Sequence, residues 1–455
     1  MKYKFKRSLS YALVLLIMMT TFMLQPLSTQ AKDTLDVEAK SAILVDGETG
    51  QILFSENPDE ALPPASMTKM MTEYLVWEAI EAGEIDWDTT TQISDYAYSI
   101  SANDSFSGVG LYQDVDYTVR SLYEAMAINS DNATTIALAE LIAGSEGEFV
   151  KLMNEKGKEM GLQREDDEDK DLPDYRFVNT TGLENADLGE NYPEGTEPDG
   201  INLLTARSAA LLAYHLINDY PESLEISSIP ETEFDGQTIR NWNYMLPHEA
   251  SFLKQYYYEG VDGLKTGRTE LAGYCFTGTA ERNGQRLITV VMGTDSEEQR
   301  FKETAKLFDY GYTKFKTEEL FPAGYQLEDK KTHPVAKGKE KTVKIATKDA
   351  FNLPIKEDQA EMFRIEYHLD EKLLNKEGEL ATPIKKGQKI GTAELVYDGE
   401  QDYGNINAEF DNKKVDLITT EAVEKKNWFM ITLGAIGDFF VNLFNTIVDT
   451  IKGWF

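Results

Sequence analysis

One cysteine, Cys275, occurs in 455 residues, so no intramolecular disulfide can form and a cysteine-based structural zinc site is excluded. Histidine is nearly as scarce. His215, His248, His333 and His368 include no His-x-x-x-His pair, which removes the zincin pattern. Positive charge is also short: 45 Lys and Arg stand against 79 Asp and Glu, a net charge of −34. Nucleic acid is therefore not expected as a partner, because a phosphate backbone needs a basic footprint. No Gly-x-Ser-x-Gly elbow is present to support a Ser-His-Asp triad. No internal repeat or low-complexity tract is found. What remains is a globular composition, 41% apolar and 27% charged, long enough for two or three domains.

The ends differ from the body. Residues 1–10 carry four positive charges and no acid, Tyr11 to Leu24 is almost wholly apolar, and small residues follow around Thr29-Gln30-Ala31. That layout predicts a signal peptide over 1–31 and export, rather than an anchor helix, since the apolar run falls short of the ~20 residues a span needs. Between Trp428 and Phe455, Asp438, Asn442, Asn445, Asp449 and Lys452 recur at helical spacing opposite a broad apolar face. Two aspartates and a lysine do not suit a spanning helix. Residues 428–455 thus read as an amphipathic helix on a membrane surface, with Trp428 and Trp454 at headgroup depth. The acidic run Glu165–Asp171 reads as a solvated loop without an EF-hand pattern.

In the body, Ala42–Val45 and Gln51–Phe54 read as a hairpin, and Tyr274–Thr279 and Leu287–Gly293 as another across Asn283-Gly284. Between them lie helical patterns from Ser66 to Ile80 and over Val119–Asn129, Ala133–Ile142 and Leu203–Ile217. A closing helix follows at Arg300–Tyr312. Helices bracketed by strands from both ends predict an α+β domain with an antiparallel sheet, placed at 36–316. After Phe321-Pro322-Ala323-Gly324, short strands at Thr342–Ala346, Met362–Tyr367, Gln388–Tyr397 and Lys414–Thr419 predict a small all-β domain over 319–420, with no chemistry visible in it.

Three short patterns stand in order: Ser66-Met67-Thr68-Lys69, Ser130-Asp131-Asn132 and Lys265-Thr266-Gly267. Each is weak alone; Ser-x-x-Lys recurs at Ser251–Lys254 and Ser-x-Asn at Ser101–Asn103. Alone, Ser66 would be a helix N-cap, Lys69 a surface lysine and Asn132 a cap. Together they describe acyl transfer. Spacing of i, i+3 stacks the Lys69 amine over the Ser66 hydroxyl. A serine is a poor nucleophile until a base takes its proton, and burial beside Lys265 would leave Lys69 neutral for that task. Ser130 can relay a proton to a leaving nitrogen and Asn132 can hold a substrate amide. Lys265 and Thr266 offer a cation and a hydroxyl to a carboxylate, and Gly267 allows close approach on an edge strand. No metal or cofactor is needed for this.

These motifs, with Ala42-Ile43-Leu44-Val45-Asp46, Phe177 to Leu183 and Gly260 to Gly267, give the chain a strong resemblance. It resembles the low-molecular-mass penicillin-binding proteins that act as serine D-alanyl-D-alanine carboxypeptidases, of the Gram-positive penicillin-binding protein 5 kind. The resemblance implies a serine β-lactamase/transpeptidase-like domain, then the all-β domain and terminal amphipathic helix. It also implies peptidoglycan stem peptides as substrate and β-lactams as covalent inhibitors. Ser66 would be the acylated nucleophile, Lys69 its base, Ser130 and Asn132 cleft residues, and Lys265 and Thr266 the carboxylate site. Arg268 would supply the second oxyanion N–H; an arginine there departs from the family pattern, as does Asp131 where many relatives have glycine. The alternative enzyme is a class A β-lactamase, but its Glu-x-x-Leu-Asn pattern matches only Glu371–Asn375, beyond Lys265. A catalytically dead wall-binding module is the non-enzymatic alternative, against which the three intact motifs argue.

Overall fold

A computed structural model describes residues 35–164, 172–399, 404–407 and 413–427, with Val441, Leu443, Phe444, Thr446, Ile447 and Val448 near the end. The expected signal peptide and the run Glu165–Asp171 lie outside the described residues. Of the expected 428–455 helix only those last six residues are described. All six are helical, and Val441, Leu443, Phe444 and Ile447 expose their side chains. Among the described residues, no helix is long and apolar enough to cross a membrane. All elements named here belong to the compact unit that begins at Glu38.

Its centre is a five-stranded antiparallel sheet of β1 (Ser41–Asp46), β2 (Ile52–Glu56), β3 (Val261–Thr269), β4 (Gly273–Arg282) and β5 (Gln285–Thr294), ordered β2-β1-β5-β4-β3. Pairing of β1 with β5 joins the two chain ends of the domain, so β3 becomes a free edge. The turns are made by side chains suited to them. Asp46 Oδ1 accepts from the Thr49 N–H and hydroxyl at 2.9 and 2.8 Å. Asn283 and Gly284 both take positive φ, as a two-residue hairpin loop requires.

Alternation sends Ile43, Val45, Ile288 and Val290 to one sheet face, in a common core with helices α1 (Lys69–Glu81) and α6 (Ala206–Asp219). Between these in the chain come α2 (Asp95–Ser101), α3 (Val119–Asn129), α4 (Asn132–Ala143) and α5 (Glu146–Glu159). The opposite sheet face is covered by α7 (Glu297–Lys314), where Gly311 lets the helix settle on Leu44 and Leu287 and Phe301 meets Phe276 edge-on. Helix α1 is buried on nearly every side, Lys69 and Glu73 included, as expected of a helix threaded through a core rather than laid on it.

Two boundaries differ from the sequence reading. Ser66 does not open the α-helix: Ala65–Thr68 form a 3-10 turn and α1 begins at Lys69. Leu203–Leu204 pair as a short strand with Tyr175–Arg176, and the helix starts only after Thr205, whose hydroxyl caps the Ser208 N–H.

Helix α7 runs directly into the all-β region. Strands β6 (Phe315–Phe321) and β9 (Phe351–Lys356) pair with each other. Strands β7 (Thr332–Ala336), β8 (Thr342–Thr347), β10 (Phe363–Leu369), β11 (Leu380–Ala381), β12 (Lys389–Tyr397) and β13 (Lys414–Thr419) form a second sheet, ordered β10-β12-β13-β8-β7-β11. The four expected strands are present. A second attachment joins this region to the catalytic domain at the β1–β2 turn. Asn405 Nδ2 donates to Thr49 O at 3.0 Å, Ile406 N to Gly50 O at 3.0 Å, and Gln51 Nε2 to Pro354 O at 3.1 Å. The Ile406 side chain is buried within the core of the catalytic domain.

Ile406→Ala should therefore destabilise the catalytic domain, by about 2–5 kcal/mol if the cavity does not collapse. Denaturant unfolding followed by circular dichroism measures this, and an unchanged midpoint would refute the docking.

Candidate active site

Pro63-Pro64 interrupts the chain, and Ala65 takes φ +48 before the turn that holds Ser66. Two glycines press on this turn. A Cβ on Gly267 of β3 would lie 2.5 Å from Pro64 O and 3.2 Å from Ser66 N; one on Gly182 would lie 1.9 Å from Ala65 O. Only glycine fits either place, and Gly182 also needs its φ of +84. The Ser66 turn is thus clamped between the sheet edge and the Thr180–Gly182 loop. Ser66 makes no capping bond; its hydroxyl is instead 2.9 Å from Lys69 Nζ.

Lys69 is fully buried, and Nζ has two further neighbours, Asn132 Oδ1 and Thr181 O, each at 2.8 Å. Both are acceptors only. A neutral amine gives them its two N–H groups and turns its lone pair to the Ser66 hydroxyl, which can then donate. Burial holds the Lys69 pKa well below its ordinary value, and the Lys265 cation lowers it further, against the pull of Asp131, Glu73 and Glu146.

The second motif sits at the junction of α3 and α4. Ser130 ends α3 in the left-handed conformation, φ +61, and is buried. Among the described residues no direct hydrogen bond joins its hydroxyl to either lysine. Asp131 is structural: Oδ1 caps α4 through Thr134 N, and Oδ2 accepts from Val109 N. Burial raises its pKa. Asn132 donates through Nδ2 to Ser107 O at 3.2 Å, which turns its oxygen to Lys69. One end of this amide is thus committed to the lysine rather than to a substrate.

On β3, Lys265 and Thr266 are buried and Gly267 faces the Ser66 turn. Among the described residues, Lys265 Nζ has one hydrogen-bond partner, Thr266 O at 3.4 Å. Burial pushes its pKa down while the Glu73 carboxylate pulls it up. The Arg268 side chain is exposed and lies over the Tyr274 ring at 5.2 Å, away from Lys265 and Thr266 in its packing. Arg300 lies beneath the strand, buried, with Nη1 3.4 Å from Gly267 O. Among the described residues no cluster of three or more His, Cys, Asp or Glu could hold a metal ion.

Several site residues were not singled out from sequence. Thr181 contributes a backbone carbonyl, which no side-chain pattern announces. Its loop is shaped by Asn179, whose Oδ1 accepts from Thr181 N at 3.1 Å and Gly182 N at 2.8 Å. Glu146 accepts from Thr180 N and Oγ1 at 2.9 and 2.7 Å and from the Tyr96 hydroxyl at 2.7 Å. Glu73, one turn past Lys69, is buried, and burial raises its pKa. The segment Phe177–Leu183 had carried a family likeness only; its role is to bring the Thr181 carbonyl to Lys69.

The chain is similar to known proteins over most of its length. Residues 27–296 match the family model described as D-alanyl-D-alanine carboxypeptidase, and 315–425 match that of the penicillin-binding protein 5 C-terminal domain. The D-alanyl-D-alanine carboxypeptidase DacF of Bacillus subtilis is 32% identical over 420 residues, covering 91% of this chain and 96% of the relative. The crystal structure of a peptidoglycan synthesis regulatory factor, PBP3 of Streptococcus pneumoniae, superposes with a TM-score of 0.67 at 34% identity, over 85% of this chain and all of the other. Penicillin-binding protein D2 of Listeria monocytogenes, solved in a cefotaxime-bound form, matches with a TM-score of 0.50 at 32% identity, over 61% of this chain and 99% of that one.

Gly182→Ala should displace the Ser66 turn and lower the acylation rate by about 100-fold. Stopped-flow acylation by a fluorescent penicillin, with circular dichroism to show a retained fold, tests the clamp. Wild-type rates in the folded variant would remove it from the mechanism.

Proposed function

This chain belongs to the D-alanyl-D-alanine carboxypeptidase family and is a serine-type, penicillin-binding enzyme of that activity, and within it we propose that Ser66 is the acylated nucleophile and Lys69 its base. The observation that carries the reading is the buried Lys69 amine, 2.9 Å from the Ser66 hydroxyl with its other neighbours both acceptors.

In this mechanism Ser66 Oγ attacks the carbonyl carbon of the penultimate D-alanine of a peptidoglycan stem peptide, and its proton passes to Lys69 Nζ. The N–H groups of Ser66 and Arg268 hold the oxyanion. The terminal carboxylate lies on Lys265 and Thr266. The C–N bond breaks as Ser130 delivers its hydroxyl proton to the leaving amine and is reprotonated by the proton held on Lys69, so D-alanine departs and Lys69 is again a neutral amine. Water then attacks the ester, giving its proton to the Lys69 amine, and Ser66 is restored. A β-lactam enters the same cleft and acylates the same serine. The two buried glutamates whose charge acts on Lys69 do not supply a free base for water: Glu146 is held by Thr180 and Tyr96, and Glu73 faces Tyr123 from within the helical core. The adduct is expected to be long-lived.

We place the enzyme outside the cell, at the outer face of the cytoplasmic membrane, held there by 428–455. The amphipathic pattern and the exposed Val441, Leu443, Phe444 and Ile447 support this.

Incubation with a diacylated Lys-D-Ala-D-Ala peptide should release D-alanine, and benzylpenicillin should leave a mass adduct that Ser66→Ala lacks. An adduct on the Ser66→Ala protein would sink the assignment. Because only the neutral amine accepts the serine proton, the acylation rate should rise with pH and level off well below the ordinary lysine pKa. Lys69→Ala should lose about 10²–10⁴-fold. A limb that stays at the ordinary lysine value would contradict the buried neutral base. Removal of 428–455 should shift the protein from the membrane fraction to the medium; retention in the membrane would dismiss the anchor.

A further inference from the structure

Beyond Lys265, a segment outside all three motifs ties the helical side of the site to the sheet side. Residues 240–243 make this bridge. On the helical side, Asn129, which precedes Ser130, donates through Nδ2 to Arg240 O at 3.3 Å, and its own carbonyl accepts from Trp242 Nε1 at 2.9 Å. On the sheet side, Asn243 Nδ2 donates to Gly263 O at 3.2 Å, two residues before Lys265. Asn241 and Asn243 are both buried. Asn241 Nδ2 donates to the Ser227 and Ile229 carbonyls at 3.0 Å each, and its Oδ1 accepts from Asn243 N at 2.9 Å. The backbone on both sides of Trp242 is therefore fixed. Trp242 itself is 39% exposed, its ring tied by the indole N–H and backed by Tyr244 at 6.4 Å.

Direction along the cleft follows from the mechanism proposed above, on which this inference rests. The scissile carbonyl sits between the N–H groups of Ser66 and Arg268. The leaving residue runs from there toward Thr266, Lys265 and Ser130. At about 3.3 Å per residue, the strand from Arg268 to Lys265 spans roughly 10 Å, enough for one small amino acid and its carboxylate. The bridge from Asn129 to Gly263 comes next.

We propose that Trp242 is a specificity-determining residue that walls off the leaving-group end of the cleft, so that the enzyme accepts a departing D-alanine and rejects a D-residue with a long side chain, such as the branch of a peptide cross-link. Tryptophan suits this. Its ring is large and stiff, with two side-chain torsions, and one of its edges is anchored, so it blocks space at little entropic cost.

Two peptides sharing the acyl part, diacetyl-Lys-D-Ala-D-Ala and diacetyl-Lys-D-Ala-D-Lys, provide the test, with release of D-alanine or D-lysine as readout in the full-length protein. The wild type should favour the first in kcat/KM by at least about tenfold, and Trp242→Ala should cut that preference by about tenfold, through faster cleavage of the D-lysine peptide. Trp242→Leu, which keeps bulk, should fall between them and serves should the alanine variant fail to take up penicillin. Equal use of both peptides by the wild type, or an unchanged preference in the folded variants, overturns the wall. Absence of D-alanine release by the wild type would instead bring down the carboxypeptidase mechanism itself, and this inference with it.

Discussion

An amine without its proton, sealed inside the protein, is the condition on which the rest of the site depends. An ammonium at Lys69 would strengthen the hydrogen bonds to Asn132 and Thr181 that the neutral amine already makes, charge-assisted bonds being worth about 1.5–3 kcal/mol net against about 1 for neutral ones. It would also have to give up its hydration, which costs several kcal/mol per buried ion. Desolvation wins, with Lys265 adding to it. That outcome requires α1 to be enclosed on nearly every side and the Thr181 loop to cover it. The helix is therefore central to both the core and the proposed chemistry, and the same burial that stabilises the domain lowers the Lys69 pKa.

The serine turn and the Ser130 turn face this amine from different elements, and each contains a non-glycine residue in the left-handed region: Ala65 at φ +48 and Ser130 at φ +61. Such conformations cost of order 1–3 kcal/mol and persist only where neighbours over-determine them. Here the neighbours are identifiable. Gly182 and Gly267 close on the first turn, and Asp131 bonds to Thr134 and Val109 fix the second. The aspartate that departs from the family pattern thus acts chiefly as a brace, and opposes the neutral lysine only as a secondary electrostatic effect.

Much of this was legible in the residues. The Ser66–Lys69 spacing, the Lys265–Gly267 edge strand and the Asn283-Gly284 hairpin follow from local geometry that a sequence carries directly. The covering contacts were not legible. Thr181 acts through its carbonyl, and Asn179 and Glu146 act on Thr180–Gly182 from elsewhere in the chain, so their meaning appears only once the loop is folded. Ser66 was placed one step too far into the helix because a 3-10 turn and the first turn of an α-helix share the same apolar spacing. Strand β6 escaped notice because three of its seven residues are charged and its burial shows no clean alternation to mark it.

The contact of Asn405 and Ile406 with the β1–β2 turn bears on how the enzyme works in place. One covalent junction, at Lys314–Phe315, would leave the catalytic domain free to swivel on its neighbour. A second point of attachment, far away in sequence, removes that rotation. The Ser66 cleft therefore keeps a single bearing on the strands that follow it, and any force applied to those strands turns the cleft with them.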